Sequence, residues 1–193
     1  MKHVPPKVVL GIAAVFAVVT ALVDHTTLAE LSGQADTWAS ARKTIARTLN
    51  SGSVWAGLGI LAGYSAGARR WLRGAALGAG ILLLTTALHY AVGIAAGSVP
   101  PDGFVANAPW FVVAVVFGIP LGLIGVAAHV SLIARLILPL GMIAEPWVTR
   151  RFCGFYGTVP EQVSEIASGV ILTLSGVILA VVVMRRGYRR HHD

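Results

Sequence analysis

Apolar runs of about twenty residues, the length that crosses a bilayer as a helix, recur along this 193-residue chain with short basic clusters at their ends. Four runs are plain: Val8–Val23, Ser53–Ala68, Trp71–Gly97 and Val163–Met184. None alternates with the period of two that marks a membrane β-strand, so the pattern predicts helices, not a barrel. The stretch from Ala108 to Val148 is too long for one crossing and holds Pro109, Pro120, Pro139 and Pro146. It reads either as one long kinked helix, giving five spans, or as a hairpin turning near His129-Val130-Ser131, with arms Trp110–Ala127 and Leu132–Val148, giving six.

Charge separates the two readings. With five spans, Lys and Arg divide almost evenly between the two sides. With six, Lys2, Lys7, Arg69, Arg70, Arg73, Arg135, Arg185, Arg186, Arg189 and Arg190 share one side, against Arg42, Lys43, Arg47, Arg150 and Arg151 on the other. An excess of Lys and Arg in short loops marks the cytoplasmic side. Six spans with both termini inside is therefore the expected topology, and it sends Asp24, Glu30, Asp36, Asp102, Glu145, Glu161 and Glu165 to the outer face. The run after Lys7 has no small-x-small cleavage site, so it reads as a retained signal-anchor.

Composition agrees. Hydrophobic residues make up 56% of the chain and charged residues 12%, against about 25% charged in soluble domains. An ordinary soluble domain, a disordered chain and a disulfide-stapled secreted module are excluded. The expected fold is all-α, a single polytopic transmembrane bundle over residues 1–193. The net charge of +7 comes from clusters at span ends, which read as topology signals and lipid headgroup contacts, not as a nucleic-acid interface. Cys153 is the only cysteine, so no intrachain disulfide or CxxC motif exists.

The first loop carries Leu31, Ala35, Trp38, Arg42, Ile45 and Leu49 at helical spacing, which predicts an amphipathic interfacial helix over 28–49. Gly59, Gly63 and Gly67 on the second span, and Gly169 and Gly176 on the last, suit close helix packing. The third span puts Thr86, Tyr90, Gly93 and Gly97 on one face, with Thr85 and His89 beside it. Such a polar strip turns inward because lipid offers it no partner.

Asp24 and Glu145 each end an apolar span. A carboxylate there reaches water, pairs with a base or is held as the neutral acid. Burial and a second nearby carboxylate both favour the neutral acid, so Asp24 and Glu145 are the candidate catalytic pair. Trp55, Tyr90, Trp110 and Trp147 fall at the same end in the six-span reading and supply aromatic faces that attract positive charge. Asn50 and His89 complete the candidate binding set, and Glu165 at the start of the last span reads as favouring a helix N-terminus. No cluster has metal-ligand spacing, His191-His192 is a tail pair, and no Walker motif or nucleophile elbow is present.

The segment Leu49-Asn50-Ser51-Gly52-Ser53-Val54-Trp55 is the most distinctive. With Asp24 before it, Tyr90 late in the third span, Gly118, Gly122 and Gly125 in the fourth and Glu145 near the end of the fifth, the layout resembles the bacterial membrane-bound terpene cyclases of meroterpenoid and indole-sesquiterpenoid pathways. The resemblance covers nearly the whole chain in outline. It implies proton-initiated cyclisation of a lipid-soluble prenyl chain or its epoxide, in a bacterial cell membrane and with no cofactor. No DDxxD or DxDD run is present, so metal-dependent diphosphate ionisation has no support. The alternative is a non-enzymatic membrane protein: a small permease, a channel subunit or a partner-binding module.

Overall fold

A computed structural model describes residues 4–25, 36–153 and 157–189. Lys2, Glu30, Leu31, Ala35, Arg190, His191, His192 and Asp193 lie outside the described residues. Among those described, every regular element is helical: α1 (Pro6–Val23), α2 (Asp36–Leu49), α3 (Gly52–Ser65), α4 (Trp71–Ala95), a single-turn α5 (Gly103–Ala106), α6 (Ala108–Ala127), α7 (Leu132–Val148) and α8 (Val159–Arg189).

The chain divides into two compact units, Met1–His25 with Trp55–Ser131, and Thr26–Val54 with Leu132–Asp193. The first holds α1, α4, α5, α6 and all of α3 after its first turn. The second holds α2, α7, α8 and that first turn.

In the first unit, glycines set the packing. Gly74 and Gly78 of α4 lie against Gly118 and Gly122 of the antiparallel α6 so closely that a Cβ at Gly78 or Gly122 would overlap the opposing backbone. Gly63 of α3 meets the Gly122 carbonyl, and Gly125 meets the backbone at Ile60 and Tyr64. Three backbones thus converge at Gly122. This is how small residues drive association in lipid, where burying apolar surface gives helices no advantage over contact with acyl chains. Val9, Ala13, Leu58, Ala62, Ile81, Leu82 and Ala114 complete the core. Thr85 and Thr86 are buried and return their hydroxyls to the carbonyls of Ile81 and Leu82, so this part of the expected polar strip turns inward, whereas Gly97 is exposed beyond the end of α4 at φ 73°. Pro120 leaves α6 a single helix.

The helices of this unit alternate in direction, α1 and α4 one way, α3 and α6 the other. Charge follows. Among its described residues, Lys7, Arg69, Arg70 and Arg73 sit at one end, where α1 and α4 start; the two acids, Asp24 and Asp102, sit at the opposite end.

In the second unit α7 and α8 run antiparallel. Pro139 and Pro146, seven residues apart and almost fully buried, face Gly176 and Gly169, also seven apart. Gly176 admits the Pro139 carbonyl, and Gly169 admits the Phe152 ring with Pro146 beside it. α2 packs on the first half of α8 through Ala39, Arg42 and Ala46, whereas Trp38 and Ile45 are exposed. The single apolar face expected for the interfacial helix is thus divided: small residues and an arginine meet protein, and the large apolar residues face outward.

Four helices, α1, α4, α6 and α8, are long and apolar enough to cross a membrane. The other two expected spans, Ser53–Ala68 and Leu132–Val148, correspond to α3 and α7, and only α3 departs from its expected bounds. α3 has 14 residues and α7 has 17, about 21 and 26 Å at 1.5 Å per residue, short of the roughly 30 Å hydrocarbon core. Backbone geometry marks where each ends. α3 stops at Ser65 because Gly67 and Arg69 take positive φ of 94° and 64°, and α7 is followed by Arg150 at φ 58°. The chain between α6 and α7 turns over Ala128–Ser131, where the hairpin reading places a break and the single kinked helix does not.

Candidate functional site

Asp24 closes α1 and His89 lies late in the parallel α4, which brings the two side chains to one end of the first unit. Thr20, one turn before Asp24 and fully buried, joins them. Its Oγ lies 3.0 Å from His89 Nδ1 and within 3.0–3.1 Å of the carbonyls of Phe16 and Ala17. A hydroxyl has one proton. Donated to a carbonyl, it leaves the Thr20 oxygen to accept from Nδ1–H, and the bare Nε2 of a neutral His89 then faces Asp24. Nε2 is 3.9 Å from Asp24 Oδ2, within ion-pair range but longer than a hydrogen bond. The tautomer follows from this network, and the pair can hold one proton between a carboxyl oxygen and an imidazole nitrogen.

Rings pack around His89, whereas the Asp24 side chain is 42% exposed, not the buried carboxyl expected from its place at the end of an apolar run. Trp55 and Tyr90 stand edge-on to His89, with centroids 6.3 and 5.2 Å away. Phe16 meets Trp55 edge-on at 5.4 Å. Phe104 and Phe111 lie 6.3 and 5.9 Å from Tyr90. A carboxylate at a helix C-terminus opposes the helix dipole, at a cost of about 0.3–1 kcal/mol. Helix capping therefore does not account for Asp24 at the end of α1.

Glu145 belongs to the second unit and has other partners. Its Oε1 and Oε2 accept the backbone N–H groups of Gly52 and Ser53 at 3.0 and 2.7 Å, and Arg151 donates to Oε1 at 3.3 Å. Glu145 thus closes the N-terminus of α3 from the end of α7. Arg151 also donates to Ser168 Oγ at 2.9 Å and to the Arg47 carbonyl at 3.2 Å. Arg47 pairs with Glu165 at 2.6 Å and Lys43 with Glu161 at 3.2 Å. Glu161 also accepts the Thr158 N–H, which closes the start of α8. These alternating charges bind α2, α7 and α8 together. Three donors, the Gly52 and Ser53 N–H groups and the Arg151 guanidinium, point at the Glu145 carboxyl, the arrangement of an anchoring carboxylate. Glu165, read as favouring a helix start, is an ion-pair partner of Arg47.

The residues singled out by sequence thus fall into two sets. Asp24, His89, Trp55 and Tyr90 share one constellation. Glu145 lies in the charge network of the other unit. Trp110 is 58% exposed in the first unit; Trp147, 63% exposed, packs on Phe152 in the second. Asn50 is exposed, with its backbone N–H bonded to the Ala46 carbonyl as α2 ends. Sequence reasoning passed over Thr20, Phe16, Phe104, Phe111 and Arg151. Thr20 was within reach, because i and i+4 share a helix face with Asp24; Arg151 carried no local signal. Among the described residues no group of three His, Cys, Asp or Glu is placed to hold a metal ion. No family model, curated protein or solved structure matches the chain.

Proposed function

We propose that this chain is a membrane-embedded terpene cyclase in which the Asp24–His89 pair supplies and recovers the proton. The observation that carries the reading is the juxtaposition of a carboxyl group, an imidazole oriented by Thr20 and the rings of Trp55 and Tyr90 at one end of a glycine-locked bundle. The carboxyl proton goes to a terminal prenyl double bond, or to an epoxide oxygen whose C–O bond then breaks. The resulting cation closes rings by attack of the remaining double bonds, and the aromatic faces stabilise it as it moves. Loss of a proton from a neighbouring carbon to the pair ends the sequence. The product is an isomer of the substrate, so no oxidant or reductant is needed. Glu145 is assigned to holding the start of α3.

The substrate is a lipid-soluble prenylated molecule that enters from a bacterial cell membrane. The chain passes that membrane six times with both termini in the cytoplasm, α3 and α7 serving as short crossings. The alternation of α1, α3, α4 and α6 between a basic and an acidic end favours this topology.

The test is to incubate membranes containing the protein with farnesylated and epoxidised substrates and search for isomers by mass. Wild type is expected to convert at least one class. Asp24→Asn is expected to lower the rate by at least about 100-fold, the scale of a lost general acid, with membrane insertion unchanged. Full activity of Asp24→Asn removes the assignment. A second reading draws on the same carboxylate-and-aromatic set: a permease or binding module for an organic cation. It predicts no isomer, and saturable binding of a quaternary ammonium probe that Asp24→Asn abolishes.

A further inference from the structure

The basic end of the first unit carries a feature that the proton chemistry does not use. The turn from α3 to α4 reads Gly67-Ala68-Arg69-Arg70-Trp71-Leu72-Arg73. Arg69, Arg70 and Arg73 are exposed, and among the described residues none of their side chains makes a hydrogen bond or an ion pair. Between them Leu72 is 90% exposed and Trp71 46% exposed. Arg69 holds a positive φ of 64°, a conformation that glycine or asparagine adopts at less cost. No acid of this unit lies at this end; its two, Asp24 and Asp102, are at the other. Lys7, at the start of α1, adds a fourth exposed cation.

We infer that this turn is a binding surface for anionic phospholipid headgroups. Trp71 opens a helix long and apolar enough to cross a bilayer, which sets the turn at headgroup depth. There a tryptophan ring suits the interface, and a leucine costly to expose to water reaches acyl chains. Arginine presents a planar fork of donors that matches phosphate oxygens in two-point contacts. Three such forks around an apolar pair, with no internal acid to neutralise them, form a surface complementary to a phosphodiester at the boundary of water and hydrocarbon. A positive-inside signal needs only charge. The exposed Trp-Leu pair calls for an interfacial partner as well.

The experiment is native mass spectrometry of the full chain in detergent, titrated separately with dioleoylphosphatidylglycerol, dioleoylphosphatidylcholine and free glycerol phosphate. Wild type is expected to retain phosphatidylglycerol at least about tenfold more tightly than phosphatidylcholine, and to bind free glycerol phosphate far more weakly than either. Each arginine near an anionic surface contributes about fivefold in affinity. The Arg69→Gln, Arg70→Gln, Arg73→Gln triple variant is therefore expected to lose most of the preference, and the corresponding lysine triple to keep part of it. Single Arg70→Gln, an exposed position, keeps the test open if the triple variant does not fold; its expected loss is about fivefold. Leu72→Ser should weaken both lipids alike. Equal retention of the two lipids by wild type, undiminished preference in the glutamine variants, or equal binding of free glycerol phosphate would each overturn the inference.

Discussion

Glu145 and Asp24 look alike in the sequence, two acids each at the end of an apolar run, and the structure gives them different surroundings. The Glu145 carboxyl is ringed by donors, with Glu145 and Arg151 side chains 13% and 11% exposed. Removing one partner of so enclosed a pair leaves the other charge poorly compensated, although Arg151 keeps Ser168 and the Arg47 carbonyl. Glu145→Ala is expected to cost about 2–4 kcal/mol, read from unfolding in detergent. A double-mutant cycle with Arg151→Ala should show strong coupling between the two positions. Glu145→Gln that lost turnover at unchanged stability would return Glu145 to the chemistry. The residue types were legible in sequence; their roles were not, because the partners that separate them lie far along the chain. Arg151 is near Glu145 in sequence, yet Gly52 and Ser53 are more than ninety residues away. The His89 imidazole was visible in the sequence as a polar group on an apolar span, whereas its contact with Thr20 spans 69 residues and no local pattern signals that pairing.

At the scale of helices, glycine spacing was the dependable signal, and it identified packing faces without identifying partners. Gly59 and Gly63 do pack, against α6, but Gly67 of the same series is in the turn with positive φ. The i, i+4 rule continued past the true helix end. Gly122 and Gly80 allow a direct test. An added methyl at Gly122 meets the Gly74 carbonyl, and one at Gly80 meets nothing within 4 Å. Gly122→Ala is expected to lower stability by about 1–3 kcal/mol through forced separation of α4 and α6. Gly80→Ala should be neutral or stabilising by up to about 1 kcal/mol, because alanine restricts the unfolded chain and favours helix. Thermal unfolding of both variants in the same detergent decides the matter. Equal effects would show that α4 and α6 do not meet backbone to backbone at Gly122.

Across the whole molecule, hydropathy gave the helical membrane class and misjudged the lengths. It counts apolar residues and is blind to where a left-handed residue ends a helix, which is why α3 stops before the expected Ala68, whereas α7 keeps the expected Leu132–Val148 bounds. The helix break over residues 128–131 falls where the hairpin reading put it. The division into two units, with α3 contributing to both, has no sequence signature. Topology can be read with one label: Cys153 is exposed and is the only cysteine. A membrane-impermeant maleimide should label Cys153 in intact cells, and should label Ala68→Cys in a Cys153→Ser background only in inverted vesicles. Labelling of both from one side would refute the six-passage topology.

The most direct measurement is turnover in D2O. Wild-type protein in vesicles, given a substrate with a terminal prenyl double bond, is expected to yield a cyclic isomer carrying one deuterium at the carbon protonated first, and Asp24→Asn is expected to yield none above background. Labelled product formed by Asp24→Asn at the wild-type rate would contradict the assignment of the initiating proton to the Asp24–His89 pair.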